Sequence, residues 1–143
     1  EVSNRALFWE RYLKRYPDSP YAKQAEFLFQ WYQAILFQGL DNTPVVEFDE
    51  KQLNISADAM AVHQLLSTKK DSRLAAKSST FIQWLQQQQQ HWQQLSPKER
   101  TDFGKQLQSE QKKLKVSFPT PVSAGRNSHF DCFTDALCHP IKG

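Results

Sequence analysis

Long hydrophobic runs are missing from this chain of 143 residues, whose mean hydropathy is −0.68. The longest apolar stretch, from Phe27 to Phe37, is interrupted by Gln30 and Gln33, whereas a membrane-spanning helix needs about 20 apolar residues. We therefore expect no membrane span. A signal peptide is missing too, and the chain begins at Glu1 without methionine, so we expect a processed mature form or an excised piece of a longer protein.

The sequence motifs of common enzymes are also missing. There is no G-x-S-x-G nucleophile elbow, no phosphate-binding P-loop, no H-E-x-x-H zinc motif and no dinucleotide fingerprint. Glu47, Asp49 and Glu50 cluster in one segment, but no partner residues identify an acid–base pair or a metal site, so we interpret them as a solvated acidic edge. These absences favour a protein that is not an enzyme and uses no cofactor.

Charge of one sign does not dominate, because 18 Lys and Arg residues are interleaved with 15 Asp and Glu residues for a net charge of +3. This balance gives a nucleic-acid role little electrostatic support. Basic residues collect in two patches, Lys69, Lys70, Arg73 and Lys77, and then Lys112, Lys113 and Lys115. Helix dipoles explain cations near helix C-termini. The two patches lie at the start of one long predicted helix and at the end of the next, so an antiparallel pair of these helices would bring them together. A binder of nucleic acid or anionic surfaces that uses the merged patches is therefore an alternative function.

Cysteine occurs only twice, as Cys132 and Cys138 near the C-terminus. Such a pair suits one disulfide in an oxidising compartment, which favours export, with two free thiols in the cytoplasm as the alternative. His129 and His139 bring four zinc-binding side chains within eleven positions, but the spacing matches no standard zinc motif. A second alternative function still uses this cluster. It is a metal-dependent factor, or an enzyme with Cys132 as nucleophile and His129 as base.

Aromatic residues are abundant, at 13% of the chain, and turn residues arrange the first of them in a helical hairpin. We expect a helix over about 4–16, with Ser3 as its N-cap and Phe8, Tyr12 and Tyr16 as apolar positions. Pro17 ends it. Ser19 then caps a second helix over about 20–38, in which Pro20 takes the first position. Gly39 ends this helix.

The next segment reads as a turn at 41–44 and a brief extended stretch at 45–48, followed by a short helix over 56–67. Asp71 or Ser72 caps a long helix to about Leu95. Its apolar seam consists of Leu74, Phe81, Leu85, Trp92 and Leu95. Ser96, Pro97 and Glu99 form a capping box that begins a last helix to about Leu114, so the two long helices should form an antiparallel hairpin.

A glutamine run, Gln86 to Gln90 with Gln93 and Gln94, lies in this predicted hairpin. Glutamine is a good helix former, so the run favours a solvated or partner-facing polar surface. We therefore predict an all-α domain over 1–115. It consists of a helical hairpin, a short helix and a long antiparallel Gln-rich hairpin. An irregular Pro-rich tail over 116–143 either packs on this domain or is held by the disulfide.

The first hairpin resembles a tetratricopeptide-type repeat of the form found in bacterial envelope-assembly lipoproteins and periplasmic adaptors. The matching residues are Ala6, Phe8, Tyr12, Leu13, Tyr16, Pro17, Ser19, Pro20, Tyr21, Ala22, Ala25 and Phe27. They cover roughly the first quarter of the chain. No second copy follows at the roughly 34-residue period of such repeats, and a plain helical hairpin is the other interpretation. The resemblance implies a binding scaffold in a periplasmic or secreted protein.

Together these features predict a protein-interaction or adaptor module whose partner is another protein, as in a subunit of a larger assembly. The candidate contact residues are Trp9, Tyr21, Trp31, Trp84, Gln87, Gln88 and Trp92. Trp84 and Trp92 lie two turns apart on one side of the predicted helix. Paired tryptophans on a helix more often belong to a core than to an interface, so these two are interface candidates only if both are exposed.

Overall fold

The computed structural model describes residues 1–40, 42–48, 52–100, 102–103, 106–107 and 118–119. Its helices are α1 (Val2–Arg15), α2 (Ala22–Gln38), α3 (Ala57–Ser67) and α4 (Arg73–Gln94), and its strands are β1 (Gly39–Leu40), β2 (Thr43–Pro44), β3 (Val46–Phe48) and β4 (Leu53–Ile55). A further helical segment follows Ser96, with described residues 97–100, 102–103 and 106–107. The described part of the chain is therefore mostly helical, as predicted.

Two small antiparallel sheets separate the helical hairpin from the later helices, so the prediction of a purely all-α fold is wrong. Strand β1 pairs with β2, and β3 pairs with β4 through Val46–Ile55 and Glu47–Asn54. The extended stretch at 45–48 was expected, but its partner strand was not. Strands of two or three residues are too short to show the alternating pattern that reveals a strand in sequence.

Gly39 makes the change from α2 to β1 possible. Its φ of 81° and ψ of −166° lie in a region that is open almost only to glycine. A Cβ atom there would approach the Thr43 carbonyl oxygen, and it would stand 2.7 Å from Pro44 Cα and 2.8 Å from Val45 N. The predicted helix stop is confirmed, and the same glycine also allows β2 to pack against the end of the helix.

Most of the predicted helix starts are confirmed by their caps. Ser56 Oγ accepts a hydrogen bond from the Ala59 N–H at 3.2 Å, and Ser72 Oγ accepts one from the Leu74 N–H at 3.1 Å. The Ser96 N–H donates to the Glu99 carboxylate at 2.9 Å, as a capping box requires. The hydrogen bonds from the Ser96 hydroxyl and N–H lower the pKa of Glu99.

Two starts differ from the prediction. Helix α1 begins at Val2 with Glu1 as its N-cap, so Ser3 lies inside the helix and the prediction of Ser3 as N-cap is wrong. Helix α2 begins at Ala22 rather than near Pro20. Ser19 nevertheless orders the turn, since its hydroxyl accepts from the Tyr21 N–H at 3.1 Å and its carbonyl from the Ala22 N–H at 2.9 Å.

The core consists of two clusters of buried side chains. The larger one contains Ala6, Phe29, Ala34, Leu36, Phe37, Val45, Leu66, Leu74, Phe81 and Leu85. The smaller one contains Leu53, Trp92, Phe103 and Leu107. The predicted seam of α4 is therefore confirmed at its buried positions. On α1 the buried residues are Ala6 and Glu10, whereas Phe8 and Tyr16 are about half exposed, so the aromatic stripe is not the buried side of this helix.

The smaller cluster joins the end of α4 to the segment after Ser96, because the rings of Trp92 and Phe103 lie 5.7 Å apart. The rest of the predicted long hairpin, to about Leu114, lies outside the described residues. So does the tail, apart from 118–119; there the Phe118 ring lies 5.0 Å from the Trp31 ring of α2. The predicted disulfide and the alternative zinc cluster, His129, Cys132, Cys138 and His139, also lie outside the described residues.

Candidate functional site

Four aromatic rings follow one another along α1 and its C-cap residue, Tyr16. The ring centroids of Phe8 and Trp9 lie 5.0 Å apart, those of Trp9 and Tyr12 5.9 Å, and those of Tyr12 and Tyr16 5.3 Å. Phe8, Tyr12 and Tyr16 recur every fourth residue, which places them on one side of a helix. Phe8 is 52% exposed and Tyr16 48% exposed. We call these four residues, together with Tyr21, the aromatic face.

A shallow hollow of about 580 Å³ lies at the α1–α2 turn, where the aromatic face ends. Its lining residues are Tyr12, Arg15, Tyr16, Pro17, Asp18, Ser19 and Tyr21. A 2.7 Å hydrogen bond between the hydroxyls of Tyr12 and Ser19 holds the two sides of the turn together. The Arg15 guanidinium lies 5.6 Å from the centre of the Tyr16 ring. The hollow is therefore a preformed, Tyr-rich surface.

The predicted contact residues lie in several places. Trp9 and Tyr21 belong to the aromatic face, with Trp9 half-buried and Tyr21 39% exposed. Trp31 lies on α2, half-buried, with its ring 6.2 Å from Phe27 and 5.0 Å from Phe118. Phe8 and Tyr16 are apolar positions of the predicted first helix that were not among the predicted contact residues, and the structure shows that both are about half exposed.

The tryptophans of α4 do not meet the condition for an exposed pair. Trp84 is half-buried and stacks on Phe81 at 5.7 Å. Trp92 is only 5% exposed and belongs to the smaller core cluster. Gln87 is exposed and Gln88 half-buried. The glutamine run thus supplies a polar, solvent-facing side of α4, while the tryptophans stabilise its apolar side.

A second concave surface lies along a different edge of α1, against the turn between α3 and α4. This groove has a volume of about 400 Å³. Its lining residues are Ser3, Asn4, Leu7, Glu10, Arg11, Lys14, Leu65, Leu66, Lys69, Lys70, Asp71 and Ser72. We call it the basic groove. The Lys14 ammonium donates a hydrogen bond to the Asp71 carbonyl and thereby joins its two sides.

The first basic patch predicted from the sequence is divided in the structure. Lys69 and Lys70 line the basic groove with Arg11 and Lys14 of α1. Arg73 instead lies 3.3 Å from the Glu26 carboxylate and 4.0 Å from the centre of the Phe29 ring. Lys77 donates to Gln33 at 3.2 Å, and desolvation by burial, with the nearby Arg73 charge, lowers its pKa. The second patch, with Lys112, lies outside the described residues.

A buried histidine and serine lie together in the larger core. His63 Nε2 is 2.9 Å from the Leu36 carbonyl oxygen, and His63 Nδ1 is 3.1 Å from Ser78 Oγ. Because a carbonyl only accepts, Nε2 carries the proton and Nδ1 accepts from the Ser78 hydroxyl. Both side chains are 0% exposed, and burial lowers the pKa of His63. This pair is therefore a satisfied core network, which no substrate could reach.

In the described part of the chain, no group of three or more His, Cys, Asp or Glu side chains could hold a metal ion. Within the same residues, no helix is both long and apolar enough to cross a membrane. No protein-family model, curated protein or solved structure matches this chain. The candidate site is the pair of concave surfaces at α1, the hollow at the α1–α2 turn and the basic groove.

Proposed function

We propose that this protein is a non-enzymatic interaction module, an adaptor whose aromatic face binds a segment of another protein. The observation that carries the proposal is the exposure of Phe8 on α1 and of Tyr16 at its C-cap, although α1 already packs Ala6 and Glu10 into the fold. Large rings that the core does not need are costly to leave in water. Aromatic side chains are also enriched at the energetic centres of protein interfaces.

The hollow at the α1–α2 turn favours an apolar segment as the occupant. Tyr12, Tyr16 and Tyr21 line it with ring surface and hydroxyl groups, and such rings lose little conformational entropy on binding. The Tyr12–Ser19 hydrogen bond keeps the hollow in shape, which lowers the cost of ordering on association. The partner would insert an aliphatic side chain there and cover Phe8 with the rest of its segment.

We propose further that α4 and the segment after Ser96 form the long antiparallel Gln-rich hairpin that the sequence predicts. The contacts of Trp92 with Phe103 and the burial of Leu107 support this arrangement. Exposed glutamines such as Gln87 would then offer amide groups to the same partner assembly. The likeness of the first hairpin to tetratricopeptide-type repeats agrees with a role as an adaptor.

Site-specific photo-crosslinking tests the interaction. A benzophenone amino acid replaces Phe8, Tyr16 or, as the control, the exposed Asp58 of α3, in cells that naturally make the protein. We expect one discrete protein adduct from positions 8 and 16 and none from position 58. The adduct's partner is then purified, and Phe8→Ser should weaken its binding about tenfold or more. Equal crosslinking from all three positions, or full affinity of Phe8→Ser and Tyr16→Ser, would contradict the proposal.

We place this function in the bacterial periplasm or outside the cell, with a disulfide between Cys132 and Cys138. Two cysteines close in sequence, in a chain that has no others, support this location. Mass spectrometry of protein purified from its native compartment should show a mass lower than that of the reduced chain by one pair of hydrogens. Free thiols in that sample, or stoichiometric zinc that a chelator removes, would overturn this part of the proposal.

A further inference from the structure

We propose that the basic groove binds an acidic peptide segment that also carries an apolar side chain. The groove lies between α1 and the α3–α4 turn and includes no residue of the aromatic face, so it is a second binding site with a partner of different chemistry. An adaptor with two such sites could hold two protein segments at once. Three properties of the groove carry this proposal.

The first property is unpaired positive charge. Arg11, Lys14, Lys69 and Lys70 converge on the groove from α1 and from the α3–α4 turn. Among the described residues the ion pairs join Glu1 to Arg5 and Arg73 to Glu10 and Glu26, and none involves these four cations. Because these four cations line one groove and form no ion pair among the described residues, a ligand with carboxylates gains from pairing with them.

The second property is that the carboxylate inside the groove is already used. Glu10 is 2% exposed and accepts hydrogen bonds from the Ser72 hydroxyl at 2.6 Å and from the Arg73 N–H. Its charge is therefore directed to the N-terminus of α4 rather than to the groove cations. The other acid of the lining, Asp71, joins Lys14 through its backbone carbonyl. Four cations against one available carboxylate make the groove complementary to an acidic ligand.

The third property is an apolar surface between the cations. Leu65 is 55% exposed, Leu7 is half-buried, and Leu66 closes the base of the groove. Helix dipoles explain cations near the ends of α1 and α3, but not an exposed leucine among them. Single-stranded nucleic acid binds through aromatic rings that stack on its bases, and no aromatic side chain is among the described residues that line this groove. A peptide with an aliphatic side chain between acidic ones fits both the cations of the groove and the apolar surface between them.

The test begins with a displayed library of short random peptides panned against the immobilised full chain. We expect the selected peptides to be enriched in Asp and Glu next to Leu, Ile or Phe. The strongest of them is labelled, and its affinity is measured by fluorescence anisotropy. A single-stranded oligonucleotide of the same net charge serves as the competing ligand class.

Charge reversal of the groove is the decisive comparison. The double variant Lys69→Glu/Lys70→Glu should weaken peptide binding about tenfold or more, and Leu65→Ser should weaken it several-fold because it removes apolar contact. The control Lys23→Glu/Lys98→Glu changes the net charge equally at exposed positions away from the groove, and should leave the affinity within about twofold. If charge reversal prevents folding, Lys69→Gln/Lys70→Gln tests the same surface.

Several results would overturn the proposal. They are a library that yields no acidic–apolar enrichment, a selected peptide that binds the double variant as tightly as the wild type, and an oligonucleotide that binds more tightly with the same dependence on Lys69 and Lys70. Failure here is distinguishable from failure of the aromatic face. Phe8→Ser should leave peptide binding unchanged, and Lys69→Glu/Lys70→Glu should leave crosslinking from position 8 unchanged.

Discussion

Glu10 Oε2 accepts a 2.6 Å hydrogen bond from the hydroxyl of Ser72, the N-cap of α4, although 62 positions separate the two residues. The same hydroxyl accepts from the Leu74 N–H at 3.1 Å, and Glu10 Oε1 accepts from the Arg73 N–H. A carboxylate of the first helix thus completes the cap of the fourth. Negative charge at this position is favourable because the N-terminus of a helix carries partial positive charge.

Replacement of Glu10 by Gln should therefore destabilise the protein. The amide keeps the shape of the carboxylate but loses its charge. Its NH2 group replaces one of the two acceptor oxygens, so either the Ser72 hydroxyl or the Arg73 N–H would face a donor. We expect the free energy of unfolding to fall by about 1–3 kcal/mol, as for other buried charged hydrogen bonds. Urea denaturation measures it. Glu1→Gln, which removes a charge at the exposed N-cap of α1 together with its pair to Arg5, is the control and should cost less than about 0.5 kcal/mol; a loss equal to that of Glu10→Gln would refute the capping role.

Gly39 provides a test of backbone strain. Its φ and ψ lie outside the left-handed helical region, and any Cβ would collide with backbone atoms of β2. Gly39→Ala and Gly39→Asn should both destabilise the fold by about 1–3 kcal/mol or more. Asparagine is tolerated at ordinary left-handed positions. Its effect therefore distinguishes an ordinary left-handed conformation, which asparagine would accept, from the conformation seen here, which only glycine fits. Thermal or urea denaturation in which Gly39→Asn retains wild-type stability would contradict this geometry.

His63 should make stability depend on pH. Burial lowers its pKa below the ordinary value of 6.5, so the unfolded chain binds a proton more readily than the folded one. The contribution of the neutral His63 ring to the free energy of unfolding is complete above pH 6.5. It is lost as the pH falls from 6.5 toward the lower pKa of the folded protein. In that window the free energy of unfolding should fall by up to about 1.4 kcal/mol per pH unit.

Urea denaturation at a series of pH values measures this effect. His63→Gln should lose the pH dependence in this window, whatever its absolute stability. His91 is exposed on α4, so His91→Gln is the matched control and should keep the dependence. A wild-type stability that stays constant between about pH 7 and about pH 5 would mean that His63 does not remain neutral in the folded protein.

Trp92 lies in the core and Phe8 lies on the surface, so their substitution should affect stability differently. Trp92 is 5% exposed and contacts Phe103, whereas Phe8 is 52% exposed. Trp92→Ala should lower the free energy of unfolding by about 3–5 kcal/mol because it opens a cavity. Phe8→Ala should change it by less than about 0.5 kcal/mol, while it weakens partner binding. Guanidinium denaturation compares them, and a large loss in Phe8→Ala would place this ring in the core and remove it from the interface.

Local signals in the sequence predicted a substantial part of the fold. Ser56, Ser72 and the Ser96–Glu99 pair cap their helices where expected, and Gly39 ends α2. Ser3 failed as a cap because the helix extends further toward the N-terminus, as far as Val2. The β3–β4 hairpin was missed as a pair since each strand has only three residues. The caps were predictable because each one depends on groups within three or four residues.

The binding surfaces were less predictable. Phe8, Tyr12 and Tyr16 have helical spacing, but spacing alone does not show which side of the helix is buried, and Ala6 and Glu10 are the residues that pack into the fold. Arg11 and Lys14 belong to neither of the basic patches that the sequence indicates. Only their position beside Lys69 and Lys70 makes them part of a groove.

The sequence by itself thus determined most of the helix boundaries, the seam of α4 and the absence of a membrane-spanning run. These properties follow from periodicity and from turn chemistry that acts over a few residues. The tertiary structure alone decided that Glu10 caps α4, that Trp92 is core while Phe8 is surface, and that cations of α1 and of the α3–α4 turn share one groove. Burial and charge pairing depend on contacts between residues far apart in the chain, and local pattern carries no information about those contacts.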